Sequence, residues 1–71
     1  MEKLYEKFEK FLSRNPSLNA DYKDILSDSD LSLENMIDEL ENFLQNCEVH
    51  HGFEMPGDLR EFARFILSHS F

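Results

Sequence analysis

The chain is poor in residues that turn or staple a backbone. It holds two glycines, two prolines, one cysteine and no tryptophan among 71 residues. So few turn-formers punctuate few connections, which excludes the many short strands of a small β-sandwich and leaves room for a few long helices. A lone cysteine, Cys47, forms no internal disulfide, so a disulfide scaffold is excluded and a reducing compartment fits. No stretch approaches the ~18 consecutive apolar residues of a membrane span, and no early apolar run succeeds a basic start. A cytoplasmic location is expected. Positive charge is scarce in one place: between residues 21 and 48, nine acids face a single base, Lys23.

The residues that are present point to one acidic helical domain over residues 1–71. Apolar residues make up 41% of the chain and nine residues are aromatic, too many for disorder. A chain this short buries only about 60% of the surface it exposes when unfolded, so its stability is expected to be marginal. The net charge of -8 resides in the middle segment, because residues 1–20 carry three acids against four bases and residues 49–71 three against two. Such a field repels nucleic acid and anionic membrane and attracts a basic partner.

Periodicity divides the chain into helices. Leu4, Tyr5, Phe8, Phe11 and Leu12 form one apolar helical face, which Asn15 and Pro16 end because the residue before proline is pushed out of the helical region. A short second helix is predicted from Ser17 or Asn19 as N-cap, with Ala20, Tyr22, Ile25 and Leu26 as apolar anchors. The strongest stripe, Met36, Ile37, Leu40, Phe43, Leu44 and Cys47, predicts a helix over about 33–49, with Leu33 one turn before it and Gly52 as a left-handed C-terminal cap. Leu59, Phe62, Ala63 and Ile66 mark a last helix that starts near Pro56, Gly57 or Asp58. The expected fold is all-α, a compact bundle of four helices, one of them short.

The segment DSDLSLENMIDE, residues 28–39, places Asp28, Asp30, Ser32, Glu34 and Glu39 at the oxygen-ligand positions of a calcium loop. Three features oppose that reading. Leu33 stands where the loop needs glycine, Asn35 stands where an apolar residue belongs, and the apolar period makes residues 33–39 already helical. The simpler reading is a helix capped by Asp30 or Ser32, with Glu34 favourably placed in its first turn. Cys47, His50, His51 and His69 match no strong zinc spacing, and Cys47 lies on the apolar stripe. No nucleophile, base or carboxylate pair has a supporting motif, and a domain this small has little room for a substrate pocket. No metal, cofactor or catalytic residue is therefore expected.

Asp28 and Ser29 precede the acidic helix, and in size, acidity and helical character the chain resembles the acyl carrier proteins, whose Asp-Ser-Leu motif bears phosphopantetheine on its serine. The resemblance implies a carrier modified on Ser29. Asp30 stands where that family has leucine, and Met55-Pro56 lies further from Ser29 than the family's Ile-Pro does.

The leading expectation comes from the acidic stripe. On a helix at about 100° per residue, Glu34, Asp38, Glu41 and Glu48 lie together. Like charges at such spacing cost a few tenths of a kcal/mol each, and residues 33–49 contain no lysine or arginine to offset them. Four charges over a rise of about 21 Å are too dilute to copy duplex DNA, which carries one per about 1.7 Å. The expected function is non-catalytic: docking on, and inhibiting, a basic protein such as a nucleic-acid-binding protein or nuclease. In size and charge the chain resembles phage inhibitors, antitoxins and immunity proteins. Glu34, Asp38, Glu41 and Glu48 are the expected contacts, with Asp28 and Asp30 at the rim. Phe53, Met55, Phe65, Leu67 and Phe71 exceed what one small core hides, which predicts a secondary apolar contact and self-association, a homodimer being the simplest form.

Overall fold

Four helices make up most of the described residues: α1 (Glu2–Ser13), α2 (Pro16–Ser27), α3 (Leu33–His51) and α4 (Leu59–Ser70). The structure is a computed structural model that describes residues 1–55 and 57–70, and no strand occurs among them. Pro56, one of the expected starts of the last helix, and Phe71 lie outside the described residues.

Asn15 serves two helices at once. Its side-chain amide donates to the Phe11 carbonyl oxygen at 2.8 Å, closing α1, while its non-helical backbone, at φ -130° and ψ 77°, makes it the N-cap of α2. Pro16 is the first residue of α2, where its fixed φ suits the helix and its missing N–H costs nothing. The residue that ends α1 thus also starts α2, which runs for 12 residues, as long as α1 and α4, and is not the short helix expected. Its buried residues are Leu18 and Tyr22, with Ile25 and Leu26 half-buried. Ala20, expected as an anchor, is exposed because two residues from Leu18 is nearly the opposite side of a helix.

Local hydrogen bonds set the ends of α3. Asp28 Oδ1 accepts from the Asp30 backbone N–H at 3.0 Å, turning the chain, and Ser32 Oγ accepts from the Asn35 N–H at 3.2 Å as the N-cap. At the other end Gly52 adopts φ 69°, and both its N–H and that of Phe53 donate to the Cys47 carbonyl. The helix runs two residues past the expected end, to His51. Asp58 Oδ1 accepts from the Arg60 N–H at 2.9 Å and caps the start of α4.

The core is organised around one ring. Phe8 of α1 has no exposed surface and makes edge-on contacts with Tyr22 of α2, Phe43 of α3, Phe62 of α4 and Phe53 of the α3–α4 connection, at centroid distances of 5.4, 6.3, 5.7 and 5.6 Å. Leu12, Leu18, Met36, Ile37, Leu40, Leu44, Cys47, Met55, Ala63, Ile66 and Leu67 pack around these rings in the interior. Tyr5 joins α1 to α4 through Phe65 and His69. The connection after α3 carries the chain back along that helix, so the first turn of α4 lies beside the middle of α3, where Arg60 meets Glu41 and Asp38. From there α4 runs antiparallel to α3, and Arg64 and Leu67 come to border Leu33 and Ile37.

Candidate interaction site

The acidic stripe of α3 contains a cation from the neighbouring helix. Arg60 Nη1 donates to Asp38 Oδ1 at 2.7 Å and to Glu41 Oε2 at 3.3 Å, while Nη2 lies 3.9 Å from Glu34 Oε1. The absence of a base within residues 33–49 therefore does not leave the stripe unopposed. α4 supplies the counter-charge from 19 and 22 residues away in sequence. The hydrogen bonds to Asp38 and Glu41 hold the Arg60 pKa above its ordinary value. Three carboxylates around one guanidinium leave a local formal charge of -2. Glu34, Asp38 and Glu41 keep 82%, 54% and 38% of their side-chain surface, so the cluster is braced yet open to solvent.

The other expected contacts are distributed around this cluster. Glu48 is exposed and borders a shallow cleft with Gly52, Phe53 and Glu54, two turns further along α3. Asp28 and Asp30 are exposed in the connection before α3, with one Asp28 oxygen engaged in the turn. The apolar set divides differently from expectation. Met55 and Leu67 belong to the core at 8% and 4% exposure, because α4 and the connection before it fold onto the other helices. Phe53 and Phe65 are half-buried, Phe53 against Phe8 and Phe11, Phe65 against Tyr5 and His69. Phe71 lies outside the described residues.

Two features of this surface have no counterpart among the expected contacts. Arg60 is one. A tight hairpin would set the start of α4 opposite the end of α3, whereas Arg60 reaches residues 34, 38 and 41. The sequence signal for that placement is the length of the 52–58 connection, enough to carry the chain back along α3. Leu33 is the other: its position on the helical wheel faces the interior, yet at the first turn of α3 it stays 67% exposed. With Ile37, Leu67 and Arg64 it borders an apolar cleft of about 340 Å³.

The remaining reactive side chains do not converge. Cys47 is fully buried, and desolvation pushes its thiol pKa from 9.0 to about 11. His50 and His51 are exposed at the end of α3, while His69 packs against the rings of Tyr5 and Phe65 at 4.9 and 4.6 Å. Among the described residues no group of three or more His, Cys, Asp and Glu side chains is placed to hold a metal ion. Ser29 is exposed in the turn that leads into α3. No helix among the described residues is long and apolar enough to cross a membrane. Compared with known proteins, the chain matches no family model, no curated protein and no solved structure.

Proposed function

We propose that the protein is a non-catalytic docking module that binds a basic protein through the acidic face of α3 and blocks that partner's nucleic-acid-binding or nuclease surface. The observation that carries the reading is the under-compensated, pre-arranged cluster of Glu34, Asp38 and Glu41 about Arg60. Side chains already held in place lose less freedom on binding, and carboxylate oxygens beyond those facing Arg60 accept hydrogen bonds from incoming arginines or lysines. Glu48, Asp28 and Asp30 extend the negative field around the cluster and act on the rate of encounter.

The test is a comparison of wild type with the variant Glu34→Gln, Asp38→Asn, Glu41→Gln as baits in extracts of the source cell. Captured proteins are identified by mass spectrometry and their affinities measured at low and high salt. The expected result is a set of basic, nucleic-acid-binding proteins that the wild type retains, the variant loses, and salt releases. Equal capture by both baits, with equal salt slopes, overturns the reading. Stability has an expected direction as well: with its carboxylates gone Arg60 loses its partners, so the variant melts below the wild type. The carrier reading draws its support from the exposure of Ser29 ahead of α3. Co-expression with a phosphopantetheinyl transferase tests it, since a carrier gains the mass of one prosthetic arm and the Ser29→Ala variant does not.

A further inference from the structure

We draw no further inference here: the strongest candidate, the cleft of about 500 Å³ between α1 and the α3–α4 connection that Lys3, Leu4, Lys7, Phe53 and Phe62 line, carries none because nothing in the structure shows what covers it.

Discussion

Replacing Phe8 is the most severe test of how the bundle is held together. Its ring is fully buried and meets rings from the other three helices and from the α3–α4 connection. Truncating a core phenylalanine to alanine costs about 3–5 kcal/mol, and the upper part of that range applies where several rings lose a partner, each such pair being worth about 0.5–1.5 kcal/mol. At about 0.05–0.15 kcal/mol per residue, a chain of 71 residues has a total stability of about 4–11 kcal/mol. Phe8→Ala therefore removes a third or more of what holds the fold. Phe8→Leu keeps most of the apolar volume while losing the edge-on contacts, and should cost about 1–2 kcal/mol. Urea titration followed by far-UV circular dichroism measures both. With a slope of about 1 kcal/mol per molar for so small a protein, the leucine variant should shift the midpoint down by about 1–2 M and the alanine variant by about 3 M or more. An alanine variant within about 1 kcal/mol of wild type would show that Phe8 is a peripheral residue and that the core closes without it.

Cys47 predicts both a reactivity and a pH dependence. With its pKa raised from 9.0 to about 11 the native thiol is about 100-fold less ionised at pH 8 than a free cysteine, so an aromatic disulfide reagent should label it only through the small fraction of molecules that stand open, at a rate that rises with added urea, and fast labelling of the folded protein would contradict the burial. The folded pKa lies above the unfolded one, so the unfolded chain releases the proton first. This contribution to stability is intact below pH 9 and falls by up to about 1.4 kcal/mol per pH unit between pH 9 and 11, a loss that Cys47→Ala should lack when the two are compared by urea titration. Gly52 has φ 69° and open space where a Cβ would point, so Gly52→Ala meets backbone strain alone and should cost about 1–2 kcal/mol, with Gly52→Asn cheaper. Equal melting temperatures for wild type and Gly52→Ala would mean that the helix ends there without a left-handed residue.

Much of this architecture is legible in local sequence pattern, because a helix is a local structure. Met36, Ile37, Leu40, Phe43, Leu44 and Cys47 repeat at helical intervals, Ser32 and Gly52 mark the two ends, and the helix lies where those signals place it. The second helix is underestimated because Pro16 carries two opposite signals, a stop for the helix before it and a start for the helix after it. Leu18, on the same face as Tyr22 and Ile25, is the residue whose spacing reveals the longer helix. The composition of the acidic face is legible only in part. Glu34, Asp38 and Glu41 fall on one side by helical geometry alone, but the pairing of Arg60 with them depends on how far the 52–58 connection doubles back, and no period within either helix encodes that register. The same limit applies to Met55 and Leu67, which look like surplus apolar residues until the path of the chain over the core is known.

Each helix packs most closely on the one after it in sequence, α1 on α2, α2 on α3 and α3 on α4. A chain whose contacts are mostly local searches little before it closes, and helical domains of this kind fold in microseconds to milliseconds. Reclosing then outpaces cutting by a protease, so degradation tracks the fraction of molecules that stand open at equilibrium and not the rate at which they open. Anything bound to the folded form lowers that fraction by mass action. In a cell the half-life of this protein would accordingly lengthen with occupancy of its surface, and molecules that find no companion would be the first to be removed.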